Sequence, residues 1–269
     1  MSPLRFDRRV GRPAGSRGGS DASVASTPGA AGADPEEDPR LQSRYVRRID
    51  PDDRAPIVLV GVVHDHPASV YRVRSVVGRL DPDVLALELP PLAVPLYRLY
   101  ADPGVGPDFG GEMSAALAAG ENARPVGIDG PSRRFYRHLA AAVGRVRPRP
   151  KTALSVLSET LSASAHAITC AAARRICERT PLLIRVGAPR RYRCSPADTP
   201  SRQAHDEERQ VRAARALATS THAPARDLRD GTRDACMADA ILDIDPGDRV
   251  VAVVGVAHLD PLSARLRAA

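Results

Sequence analysis

The chain has 269 residues, a formal net charge of +7, and 43% hydrophobic but only 3% aromatic residues, none of them tryptophan. That length supports a sizeable buried core, which must be built from Val, Leu, Ile and Ala. No apolar run approaches the roughly 18 residues that a membrane-spanning helix needs, which excludes a transmembrane segment.

Lys151 is the only lysine, so the basic excess is arginine, as a GC-rich coding background supplies without selection for polyanion binding. Nucleic acid is therefore not the expected partner. Cys170, Cys177, Cys194 and Cys236 show neither a CxxC pair nor zinc-ribbon spacing and read as reduced thiols. The opening MSPLRFDRRVGR has no apolar stretch behind its charges to form a secretory signal. A soluble, cytoplasmic protein is expected.

Residues 1–54 are rich in Gly, Ala, Pro, Ser and charge and lack apolar periodicity, so a disordered lead-in is expected there and an α/β domain over 55–269. IVLVGVVH (57–64) has the β-branched character of a buried strand. Val70, Val73, Val77 and Leu80 then recur at helical spacing, with an end near Gly78–Asp81. DVLALEL (83–89) and RPVGID (124–129) predict further strands, with helical text from Met113 to Ala119 between them. This alternation predicts a mostly parallel or mixed central sheet flanked by helices. Over 131–230 the pattern is weaker: helices over LAAAVGRV and SAHAITCAAARRICER, a strand over PLLIRVG (181–187), and loops at RPRPK and APRRYRCSPADTPSR. A helix over 205–219 pairs Glu208 with Arg212. TRDACMADAILDI predicts a helix capped by Thr232; DRVVAVVGVAH would close the sheet, and DPLSARLRAA is a last short helix.

The carboxyl ends of parallel strands are where ligands bind, and the predicted strands end on His64, Glu88, Asp129 and His258. Each has a plainer reading, as a turn residue or a helix cap. As a set, two histidines and two carboxylates suit Zn²⁺, Mn²⁺ or Co²⁺ with an open position for water. Gly61 and Gly255 each stand three residues before a histidine, where a missing side chain permits close approach. Arg233 and Asp234 fall on the inward face of their helix, placing Arg233 either as a clamp on a substrate carboxylate or oxyanion, or as an ion-pair partner of Glu88, Asp129 or Asp234. His66 forms an HxH with His64 and is a further candidate ligand, although its expected place is the loop before Pro67. His138, His166, His205 and His222 read as surface or helix residues.

The stretches GVVHDHPASVYRVRSVVGRLDPDVLALELP, PVGIDG, GTRDACMADAI and VVAVVGVAH resemble the TraB/PrgY (pheromone-shutdown) family, related to the TIKI metalloproteases. The family's two GxxH motifs, its Glu after the second strand and its Arg-containing helix fall on Gly61/His64, Gly255/His258, Glu88 and Arg233/Asp234. Residues 145–203 have no match. The resemblance implies a TIKI-like domain of two pseudo-symmetric halves and a metal-dependent, peptidase-like hydrolase acting on an amide or ester bond. In that role His64, His258 and Asp129 would hold the metal, Glu88 would act in catalysis as general base or serve as a further ligand, and Arg233 would act in catalysis as an oxyanion or carboxylate clamp. The alternative it implies is a non-catalytic protein of the same fold that binds or sequesters a small peptide.

Overall fold

The computed structural model describes residues 38–105, 109–188, 190–220 and 224–269, and the backbone of Arg5–Arg8. Its centre is a five-stranded mixed sheet in the order β2-β3-β7-β4-β5. The strands are β2 (Val46–Ile49), β3 (Ile57–Val62), β4 (Val84–Leu87), β5 (Arg124–Gly127) and β7 (Val250–Gly255). β2 runs antiparallel at one edge and the other four are parallel.

Helices cover both faces, and the alternation of side chains along each strand assigns the layers. Val58, Val60, Leu85, Leu87, Val251 and Val253 pack toward α1 (Pro67–Leu80), α2 (Val94–Tyr100), α3 (Gly111–Ala119) and α5 (Pro150–Arg179). Ile57, Leu59, Val84, Ala86, Ala252 and Val254 pack toward α7 (Pro224–Leu242) and α8 (Val256–Arg267) through Met237, Ile241, Leu259 and Leu262. Both faces of β3 and β7 are thus buried, which is why they read as unbroken apolar runs.

Three expectations are corrected, and a fourth element is present as expected but with an unforeseen partner. Residues 38–54 belong to the fold, because β2 pairs with β3 over Val46–Val60 and Ile49–Ile57; residues 1–4 and 9–37 of the expected lead-in lie outside the described residues. β7 does not close the sheet but sits between β3 and β4, paired on both sides and buried on both faces. The strand in PLLIRVG exists as β6 (Leu182–Arg185), yet it pairs antiparallel with β1 (Arg5–Arg8), apart from the main sheet. Finally, α7 begins at Pro224, so Thr232 is an interior residue whose hydroxyl donates to the Leu228 carbonyl rather than a cap. The remaining helices are α4 (Arg133–Val146) and α6 (Pro200–Ser220).

The two similar octapeptides lie side by side and parallel, with Ile57 opposite Val250 and Gly61 opposite Val254. Their register therefore differs by one residue from the alignment of the two sequences. Both deliver their glycine and histidine to the same sheet edge.

Candidate active site at the strand ends

Arg233, in the middle of α7, organises the site. Its Nε donates to Asp129 at 3.0 Å and Nη2 to the same carboxylate at 2.7 Å. Nη2 also reaches Glu88 at 2.5 Å, and Nη1 lies 3.0 Å from Nε2 of His258. Glu88 directly follows β4, and its other oxygen accepts from the Gly255 backbone N–H at 2.5 Å. A side chain at Gly255 would meet that carboxylate at 3.2 Å, so the glycine keeps room for Glu88. The close approach at Gly61 serves α8 instead: a Cβ there would lie 3.0 Å from Leu259.

His258 stands in the first turn of α8 and not at the end of the strand, since β7 stops at Gly255. Its Nδ1 is 2.6 Å from Asp234. With Arg233 donating to Nε2, this is the neutral tautomer that carries its proton on Nδ1 and gives it to Asp234. Burial opposes charge on the ring, but the Asp234 hydrogen bond and the Glu88 charge outweigh it, leaving His258 more basic than an ordinary imidazole. Burial likewise opposes ionisation of Glu88; Arg233, His258 and His64 overcome it and hold the carboxyl below its usual range.

The second histidine follows the same plan with different partners. His64 Nδ1 is 2.7 Å from Glu112, whose other oxygen accepts from the Asp65 N–H at 2.7 Å. The hydrogen bond to Glu112 lifts His64 to about 9 against the effect of burial, so the ring is an imidazolium at neutral pH. Its side chain is 41% exposed. The Tyr192 hydroxyl donates to the His64 carbonyl.

His66 does not join the site. Asp65 takes a left-handed backbone (φ 59°), which breaks the strand-like alternation and sends the two histidines of the HxH in different directions. His66 is fully buried, and its Nδ1 accepts from Ala68 N–H at 3.1 Å, capping α1 ahead of Pro67. Its Nε2 lies 3.5 Å from Cys194 and 3.4 Å from Asp206.

Two cavities meet over this edge. The larger, about 600 Å³, includes His64, Glu88, Arg233 and His258 in its lining, with apolar walls from Val62, Val211, Ala214 and Val256 and basic side chains from Arg190 and Arg191. The smaller, about 230 Å³, shares His64, Glu88 and Arg190 and adds Glu112, Tyr97 and His166. The larger lies within the size range of ligand pockets.

The expected metal set of His64, Asp129 and His258 is not assembled. Both Asp129 oxygens and the His258 Nε2 are taken by Arg233, whose guanidinium fills the position a cation would need. His64 would also have to give up its proton first. Among the described residues, three or more metal-type donors come within 4.8 Å of one another only at His66, Cys194 and Asp206. That group has the spacing for an ion, but its chemistry opposes one: with Nδ1 accepting from Ala68, Nε2 carries the proton and has no lone pair to offer. Asp206 is also paired with Arg209, and burial pushes the Cys194 thiol up to about 12.

Comparisons with protein-family models, curated proteins and solved structures found no match. The structure therefore brings together Glu88, Asp129, Arg233, Asp234, Gly255 and His258, with His64 on the same cavity wall, and leaves His66 outside. Sequence reasoning missed Glu112. The sequence signal was only an acid in the first turn of α3; that it meets His64 is decided by the fold. Arg190 and Tyr192 sit in a loop whose sequence carried no sign of where it would fold.

Proposed function

We propose that the chain is a peptidase-like hydrolase that cleaves an amide or ester bond in the cleft over β3, β4 and β7. The observation that carries this reading is the pair of histidine–carboxylate dyads, His64–Glu112 and His258–Asp234, whose histidines line one cavity with Glu88 while their carboxylates stand behind them. They differ in what they hold. His64 carries a proton, as a general acid must, while His258 has Nε2 as an acceptor and a carboxylate behind it that strengthens it as a base.

In the proposed reaction Arg233 turns from His258 to the substrate carbonyl, which frees Nε2. His258 takes a proton from water, and the hydroxide adds to the carbonyl carbon. The guanidinium holds the oxyanion. As the tetrahedral intermediate collapses, His64 donates its proton to the departing amine or alkoxide. Glu88 stays ionised and stabilises both imidazolium states. The two pseudo-symmetric halves implied by the TraB/PrgY and TIKI resemblance belong to the same proposal, supported by the adjacent, parallel GxxH strands. The residues present do not fit the metal that resemblance implies.

The competing reading, capture of a peptide without cleavage, is favoured by one observation: every nitrogen of the Arg233 guanidinium already has a partner. The test is turnover of a mixed peptide library and of aryl esters, with and without a chelator, for the wild type, His64→Gln and His258→Gln. Cleavage that survives chelation and falls by about 100-fold or more in each variant supports the proposal. Chelator-sensitive cleavage returns the metal to the mechanism. Binding with no cleavage favours capture.

A further inference from the structure

We propose that the outward face of α5, with the α4–α5 corner, docks on an anionic lipid surface. α5 is a 30-residue helix, about 45 Å long at 1.5 Å per residue, and it uses one face for the core, through Val156, Thr160, Ala167, Cys170, Ala173 and Cys177. The opposite face is not the polar one expected of a surface helix. Leu154, Leu157, Leu161 and Ile168 are 53–65% exposed. Ala165, Ala172 and Ile176 continue the same line in the open. Their spacing of three and four residues makes one continuous apolar stripe on the solvent side.

The charge around the stripe selects the occupant. Between Asp129 and Glu159 the chain has no acidic residue, while Arg133, Arg134, Arg137, Arg145, Arg147, Arg149 and Lys151 are all basic. Arg145, Arg147, Arg149 and Lys151 are exposed at the corner where α4 turns into α5, beside Val146, itself 60% exposed. The far end of α5 is basic again, at Arg174, Arg175 and Arg179, and its acids are already engaged: Glu159 with Arg229 and Glu178 with Arg174. A second copy laid on the stripe would set basic end against basic end, whether parallel or antiparallel. An anionic lipid surface takes the apolar stripe into its acyl boundary and neutralises both ends. No helix among the described residues is long and apolar enough to cross a membrane, so the contact is an adsorption in the plane of the surface.

The test is co-flotation of the full chain with phosphatidylcholine vesicles, with and without about a third phosphatidylglycerol. It uses the wild type, Leu157→Asn/Leu161→Asn, and Arg147→Gln/Arg149→Gln/Lys151→Gln. All these sites are exposed, and circular dichroism checks that each variant folds. The expected result is recovery with the anionic vesicles only, reduced about tenfold in either variant. Absence of wild-type recovery overturns the proposal. So does recovery unchanged in the Leu157→Asn/Leu161→Asn variant, which would mean charge alone. A lipid-free dimer in light scattering that this variant dissociates would identify a second copy as the occupant and also overturn it.

Discussion

The clusters around Arg72 and Arg233 are built from the same groups, a guanidinium clasped by carboxylate, and differ in what surrounds them. Arg72 is completely buried in α1, paired with a completely buried Glu207, and donates to the Gly61 and Arg40 carbonyls. Tyr45 covers its face at 4.1 Å, and Glu207 also accepts from Ser69, whose oxygen receives the Val63 N–H. Every contact runs back into the framework beneath β3. Arg233 is 23% exposed in the lining of a cavity, and its partners are side chains following β4 and β5 and in the first turn of α8. A buried ion pair of the first kind holds elements together; one that borders a cavity has somewhere to move. Charge density alone does not mark a site, but charge density with open volume beside it does.

That contrast can be broken most strongly at Arg72. Arg72→Ala leaves the Glu207 charge buried without a partner, and urea unfolding should show a loss of about 3–5 kcal/mol. A loss below about 1 kcal/mol would mean that water reaches the pair and the contrast with Arg233 is false. Arg233→Gln should be milder, about 1–3 kcal/mol, because Glu88 and Asp129 can rehydrate from the cavity. Its larger effect is expected on ligand binding or turnover, so the ratio of functional to structural loss should be reversed between the two arginines.

The paired histidines sharpen the same point. His66→Ala removes the α1 cap and should cost about 0.5–2 kcal/mol without altering metal content, measured by elemental analysis of the purified chain. Stoichiometric metal lost on that substitution would overthrow the tautomer argument at His66. His64 offers a pH-dependent effect with a defined sign. Its folded value of about 9 lies above the ordinary imidazole value of 6.5, so the folded state binds the proton more tightly than the unfolded chain. The stabilisation is fully present below about 6.5 and fades as pH rises through about 9. A urea series across that window should show the fade in the wild type and its absence in His64→Gln.

Much of this was legible in the residues. β3, β4 and β7 stand where apolar runs predicted them, β5 stands within the strand expected over 124–129, and α1 ends at Asp81 with a left-handed cap. Strands buried on both faces announce themselves by composition alone. Glu88 and Asp129 converge because strand-end geometry carries short motifs to one edge, and α7 and the first turn of α8 bring Arg233 and His258 to them. The sequence reading failed where the deciding partner was distant in the chain. Glu112 is 48 residues from His64, and Asp206 is 140 from His66. No local period or spacing encodes either pairing. At HDH the expected loop before Pro67 is present, and one left-handed residue, Asp65, separates two histidines that strand alternation would have kept on one side.

The sequence by itself determined that this is an α/β chain with two GxxH strands delivering histidines to one sheet edge, because local periodicity and side-chain chemistry set which segments bury and which residues end them. Only the tertiary structure decided that those strands are neighbours, that Arg233 takes the acceptors a metal would have used, and that His64 is charged while His66 is a cap. Protonation, ligation and access depend on which groups lie within a few ångströms, and that proximity exists only once the sheet has brought α7, α8 and the ends of β3, β4 and β5 together.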